Sequence, residues 1–239
     1  MPKHIRTLTI MFDAEINSRE IPLFRGAVIN CMKGEADLLF HNHMEEGKLR
    51  YGYPKIQYKR IGGKAAIVCV ESGVDIIGQF FSEYDGKLTI GEHEIECKPR
   101  KIAPTNIIVQ TWNSVFTYHI TRWLPLNSKN YEHYKTIEGI SERIAFLEDL
   151  MKANLLAMLK NLDIWLDNEL LVKFTQISEP YLLSNKGVKM MAFNVDFKSN
   201  LSIPNNIGIG KNASIGYGTI VQVRQEKYTN SNDNTGNNN

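Results

Sequence analysis

Gly208-Ile209-Gly210-Lys211-Asn212-Ala213-Ser214-Ile215-Gly216-Tyr217-Gly218, close to the C-terminus, decides how the chain is read. Two Gly-x-Gly pairs bracket five residues, one of them a lysine. Glycines this dense give up conformational entropy for a backbone shape that side chains would block. Such shapes provide positive φ angles and bring backbone N–H groups close to a ligand, often an anion. Thr219-Ile-Val-Gln-Val223 alternates as a strand, so the loop feeds a sheet. No Gly-Lys-Ser/Thr closes the loop and no helix follows, which excludes a Walker loop. The spacing and the lack of a surrounding βαβ unit exclude a dinucleotide fingerprint. A glycine hairpin with structural duties only is the alternative reading.

Upstream of the loop the pattern is β-α-β-β. Ser114 to Trp123 reads as a strand, with Phe116, Tyr118 and Ile120 on one face, and Pro125 breaks it. Asn130 to Thr136 forms a short helical turn. Ser141 to Leu162 is the longest helix, with Ile144, Leu147, Met151, Leu155, Met158 and Leu162 in one stripe. Glu169 to Ser178 and Lys186 to Lys198 are strands, with Asn185-Lys-Gly187 in the turn between them. Val188, Met190, Ala192, Asn194 and Asp196 share one face of the second strand; Met191, Phe193, Val195 and Phe197 share the other. The glycine loop stands where a second helix would complete a ferredoxin-like half.

The first half repeats the order. Ile5 to Phe12 is a strand. Ser18 to Met32 is a helix with Ser18 as its N-cap, Pro22 in its first turn and Gly34 as its stop. Tyr51 to Ile61 is extended, with Ile56, Tyr58 and Arg60 on one face and Lys55, Gln57 and Lys59 on the other. Gly62-Gly63 turns the chain into Lys64 to Val70. Gly73 to Tyr84 is a helix with Val74, Ile77 and Phe81 inward. Lys87 to Ile90 and His93 to Cys97 follow, the latter as an extra hairpin strand. The expected class is α+β, with two tandem ferredoxin-like (RRM-like) βαββαβ halves, the second degenerate. The expected domains are 1–105 and 106–224. Residues 225–239, asparagine-rich and nearly free of apolar side chains, are expected to be a disordered tail.

Bulk properties narrow the function only by exclusion. No apolar run reaches the length of a membrane span, and the N-terminus lacks the apolar core of a signal peptide. Cys31, Cys69 and Cys97 are odd in number and far apart, as free thiols in a reducing cytoplasm would be. The net charge of +2 implies nothing about nucleic acid, so any basic surface must come from local clustering.

His41 and His43 follow the apolar run Leu38-Leu-Phe40. In extended backbone both imidazoles point the same way and can divide acid and base duties near neutral pH. They could also chelate a metal, with Glu45 and Glu46 as the local additional ligands, or stand idle in a surface loop. Lys33, Arg50, Tyr51, Tyr53, Lys55, Tyr58, Lys59 and Arg60 surround them in sequence. Cations interleaved with aromatics suit RNA, the aromatics for stacking and the cations for phosphates; a solvated strand face is the alternative. His93, His119 and His133 are read as structural.

Together these features resemble the CRISPR-associated endoribonuclease family that cuts precursor CRISPR RNA repeats, the sixth Cas family. The resemblance covers residues 5–224. It rests on Gly208, Gly210, Gly216 and Gly218, on the doubled ferredoxin-like order, and on paired histidines after the first helix. The run Phe40-His-Asn-His43 followed by Tyr-x-Tyr-Pro-x-Ile-Gln-Tyr is similar to the subgroup with paired histidines. The resemblance implies catalysis by His41 and His43, assisted by Lys33 and by Tyr51 or Tyr53, without metal or other cofactor. It also implies RNA contacts from the four glycines, Lys211, Tyr53, Lys55, Lys59, Arg60, Lys98, Arg100 and Lys101. The expected product chemistry is a 2′,3′-cyclic phosphate; a non-cleaving repeat-RNA-binding protein of the same fold is the alternative. CRISPR repeat RNA is the implied partner, with other Cas proteins beside it, for a monomer or homodimer of the cytoplasm.

Overall fold

The structure, a computed structural model, describes residues 3–31, 52–185 and 187–223. His41, His43, Lys33, Tyr51 and the expected tail 225–239 lie outside the described residues. The first half runs β1 (Lys3–Glu15), α1 (Ile21–Cys31), β2 (Ile56–Ile61), β3 (Lys64–Val70) and α2 (Ser72–Glu83). A hairpin of β4 (Lys87–Ile90) and β5 (His93–Glu96) follows, then β6 (Pro99–Val109). The sheet order is β2-β3-β1-β6, with every neighbour antiparallel. This is the ferredoxin-like order, and it moves the fourth strand. The sequence suggested Lys87 to Ile90 for that place, with a domain end near Pro104. Instead β4 and β5 pair only with each other, and Pro104 sits within β6 opposite Leu8. An edge strand tolerates proline because no outer neighbour needs its N–H. Lys98-Pro-Arg100-Lys101 therefore opens a strand rather than a linker.

Local chemistry sets the helix ends. The Asn17 side chain accepts the Arg19 N–H at 3.0 Å, and the Glu20 carboxylate accepts the Asn17 N–H at 2.7 Å. This closed turn delays α1 to Ile21, three residues past the expected Ser18 cap, with Pro22 still in the first turn. On α2 the buried aromatic is Phe80 rather than the expected Phe81; Phe80 stacks on Tyr84 with centroids 4.6 Å apart.

The second half runs β7 (Thr111–Trp123), α3 (Ser128–Thr136), α4 (Ile140–Asn161), β8 (Val172–Ile177), β9 (Tyr181–Asn185), β10 (Val188–Leu201) and β11 (Thr219–Gln222). The same order recurs as β11-β7-β10-β8. β10 is long enough to pair with β9 through 188–192 and with β8 through 195–199. β9 was not foreseen in the sequence. The α4 stripe of Leu147, Met151, Leu155 and Met158 is buried, at about 2 kcal/mol for each large apolar side chain. Glu148 on the same stripe is buried too, because its carboxylate accepts the Phe174 N–H at 2.8 Å and the Lys173 ammonium at 3.1 Å.

No helix is found between β10 and β11 among the described residues. The chain there folds back on itself: Ile209 N–H donates to Gly218 O at 2.9 Å, and Ile220 N–H to Ile207 O at 2.8 Å. The two cores then interlock. Ile5, Val68, Val70 and Val109 of the first sheet join the core around α4, while Ile215 and Tyr217 of the glycine loop join the core around α1.

Gly218 has φ +58°, and a Cβ there would sit 2.1 Å from the Ile209 carbonyl oxygen. Gly187 has φ +77°, but a Cβ there meets nothing within 4 Å. Gly187→Ala should thus cost about 1 kcal/mol of left-handed backbone strain. Gly218→Ala should cost about 3 kcal/mol, since the clash is with backbone that cannot step aside. Urea unfolding of both variants checks this ranking; equal losses would show that the loop is not closely packed.

Candidate nucleic-acid interface

The open face of the first sheet carries Gln57 and Lys59 on β2. The registers place Gln57 beside Val68 and Thr9, and Lys59 beside Ala66 and Met11. The glycine loop is laid over this face. Tyr58 N–H donates to Ser214 O at 2.8 Å, and Tyr58 and Ile215 form a parallel bridge along the β2 edge. Gln57 Oε1 accepts the Gly208 N–H at 2.8 Å. Lys59 Nζ donates to Ala213 O at 3.0 Å and to Thr219 Oγ1 at 3.2 Å.

Lys59 was expected to face RNA, yet it is 1% exposed. Both faces of β2 are covered, one by α1 and one by the glycine loop, so alternation of charge along this strand does not report a solvated side. Burial alone pulls the Lys59 ammonium down from the ordinary lysine value to about 7. A neutral amine has two N–H bonds, and two acceptors face it.

The glycines are packing positions. A Cβ on Gly208 would lie 2.6 Å from Lys59 Nζ. Gly216 lies against Ile21, and Gly210 against Asn154 and the Trp123 indole. The amides of Gly208 and Gly218 already have protein acceptors, Gln57 Oε1 and Arg122 O. Gly210 and Lys211 are the exposed residues of the loop, and of the two only Lys211 carries a side chain.

Lys211 borders a cleft of about 300 Å³ with Gly52, Tyr53, Asn154 and Asn161. Gly52 is the first described residue after the histidine-bearing segment 32–51. Asn161 at the end of α4 anchors this return, its Oδ1 accepting the Tyr53 N–H at 3.2 Å and its carbonyl accepting the Lys55 ammonium at 3.3 Å. Desolvation lowers the Lys55 ammonium from its ordinary value, Glu71 opposing it. The Tyr53 hydroxyl is enclosed, and burial raises its phenol far above the ordinary range. Tyr53 is therefore a packing residue of the cleft wall more than a stacking platform.

The other expected contacts are dispersed. Lys101 faces a second cleft, of about 380 Å³, beside Thr7, Thr9 and Met11 on the open sheet face. Arg100, its neighbour along β6, is the extra residue of a bulge opposite β1, and Lys98 pairs with Glu96 at 3.1 Å. Arg60 borders a third cleft, of about 430 Å³, between the halves, and its Nε donates to Ile16 O at 2.7 Å. His119 was read as structural; it meets the Asp196 carboxylate through Nδ1 on the open face of the second sheet, a cross-strand pair that sequence spacing could not reveal. His133 packs edge-on against Phe146. Among the described residues no three His, Cys, Asp or Glu side chains gather as a metal site. No described helix is long and apolar enough to cross a membrane.

Residues 3–107 match the Cas6b N-terminal domain model and residues 110–223 match the Cas6b C-terminal domain model. The chain belongs to the Cas6b family. A crystal structure of Cas6b superposes on this Cas6b chain with a TM-score of 0.81 at 26% identity, covering 92% of this chain and all of the other. A second Cas6b crystal structure, of a CRISPR RNA processing endoribonuclease, gives a TM-score of 0.70 at 24% identity with the same coverage. An uncharacterized protein of Methanocaldococcus jannaschii is 33% identical over 106 residues, 44% of this Cas6b chain and 71% of its own length.

The buried Lys59 sets a pH signature. Above about pH 7 the folded chain releases this proton while the unfolded chain keeps it up to the ordinary lysine range. Stability therefore rises with pH across that window. Urea unfolding from pH 7 to 10 should show wild type gaining on Lys59→Met as pH rises; parallel curves would mean that Lys59 titrates normally.

Proposed function

We propose that this chain is an endoribonuclease that cuts the repeats of precursor CRISPR RNA to release guide RNAs, by metal-independent transesterification. The observation that carries the reading is the shared cleft: Lys211 of the glycine loop and Gly52, where the histidine-bearing segment returns, line the same wall. The family and the Cas6b crystal structures support it.

One of His41 and His43 takes the proton from the ribose 2′-hydroxyl beside the scissile phosphate. The freed oxygen attacks phosphorus in line, the bond to the 5′-oxygen breaks, and a 2′,3′-cyclic phosphate remains. The other histidine gives a proton to the departing 5′-oxygen. Lys33 stabilises charge on the phosphorane, and Tyr51 assists there. Lys211 holds a repeat phosphate at the mouth of the cleft, and Lys101 extends the basic track along the first sheet. Lys59 and Tyr53 act through packing: one fixes the loop that carries Lys211, the other the stretch that leads from the histidine segment into β2. Repeat RNA is the partner; other Cas proteins join it as the guide is passed on.

Removing both imidazoles together should lower single-turnover cleavage by at least about 10³-fold, the scale of general acid–base catalysis. His41→Ala with His43→Ala should still bind the repeat, and wild-type cleavage should persist in EDTA. Gel assays on the organism's own repeat decide. Cleavage by the double variant would contradict the catalytic assignment, and loss of wild-type cleavage on chelation would favour metal-assisted chemistry.

A further inference from the structure

The cleft of about 430 Å³ between the halves is bordered by Ser18, Arg60, Arg122, Tyr181, Asn194 and Gly216. It lies off the Lys211 cleft and has no part in the mechanism above. Among the described residues that border it there are two arginines and no carboxylate. Its volume falls within the range of small-ligand sites, enough for one nucleotide unit.

Arg122 is unusual in its backbone. Its φ is +52°, a left-handed conformation that costs about 1–2 kcal/mol for a residue with a side chain. The register explains why. Phe193 pairs with Trp123 and Val195 with Ile120, so β7 carries one extra residue there, a bulge. The bulge is held on several sides. Asn194 Oδ1 accepts the Arg122 N–H at 2.9 Å and the Tyr181 O–H at 2.8 Å. The Arg122 carbonyl accepts the Gly218 N–H at 3.2 Å. The guanidinium lies over the Tyr217 ring, 4.4 Å from its centroid, and Nη1 reaches Ser18 O at 3.4 Å. A guanidinium stacked on a ring by its face keeps its N–H bonds in plane, the arrangement that grips a phosphate by two parallel bonds.

A backbone strained at a non-glycine residue and braced from two strands and the glycine loop is a device for aiming a side chain. We propose that Arg122, with Arg60, forms a second phosphate-binding subsite between the halves, which takes one backbone phosphate of the RNA strand away from the cut. The subsite rests on the proposed function for its ligand. It needs only RNA binding, not cleavage.

The test uses the full chain and a synthetic repeat RNA with deoxyribose at the cut site, titrated by fluorescence anisotropy over a range of salt. Arg122→Gln should weaken binding several-fold, and the slope of log affinity against log salt should shrink by about 0.7, one phosphate contact on a single strand. Lys87→Gln, an equal charge loss in the β4–β5 hairpin, should leave the slope unchanged. Independently, wild-type protein with 4-thiouridine placed at each repeat position in turn should crosslink to Tyr181 at one position. Equal affinity and slope for a folded Arg122→Gln would overturn the subsite. Crosslinks confined to the Lys211 cleft would overturn it even if that variant failed to fold. Failure of wild type to bind the repeat would sink the proposed function as well, so the two failures are distinguishable.

Discussion

A short polar seam inside the protein, Lys59 Nζ to Ala213 O and Gln57 Oε1 to the Gly208 N–H, sets where everything else can lie. The second half lacks its second helix, and an irregular loop takes that place. Buried backbone groups in such a loop must find partners. The first half supplies them from β2, partly by side chains and partly by the β2 edge at Tyr58. Apolar residues then lock the exchange, Ile215 and Tyr217 in one direction and Ile5 and Val70 in the other. Neither half has a complete core of its own.

The seam also divides labour within the loop. Its glycines let two backbones and an ammonium come close, which fixes the loop, while Lys211 faces outward beside the return of the histidine-bearing segment. A loop that looks like an anion cradle is thus largely a fastening, and its exposed charge is one lysine. The same fastening braces Arg122, through Gly218 and Tyr217. Two cationic positions, Lys211 and Arg122, border separate clefts and depend on one packing arrangement.

The regular parts of the fold were readable because burial there is one-sided. The α4 stripe, the alternation of Phe193, Val195 and Phe197 in β10 and the Gly62-Gly63 turn follow directly from periodicity and φ preference. Errors arose where burial is two-sided or pairing is non-local. Lys59 alternates like a solvent-facing cation, but the loop that covers it lies 154 residues away in sequence. The β4–β5 hairpin has ordinary strand chemistry, and only its failure to join the sheet shows that β6 is the fourth strand. Arg122 carries no sequence sign of a left-handed backbone, since nothing but the β7–β10 register forces it. For the site, the glycine loop drew the reading to the cleft that Lys211 borders, and His41 and His43 lie outside the described residues. Asn161 as the anchor of Tyr53 and Lys55 is a contact between distant elements that no local pattern encodes.

The proposed function joins these features as chemistry at a ribose: a strand held by cations around the loop, and imidazoles that move protons across one linkage. The ends left by the reaction report that chemistry directly. Mass spectrometry of the two fragments from a cut repeat should find a 2′,3′-cyclic phosphate on the upstream piece and a 5′-hydroxyl on the downstream piece. A 3′-hydroxyl upstream with a 5′-phosphate downstream would mean that water, not the neighbouring 2′-oxygen, attacked phosphorus, and would contradict it.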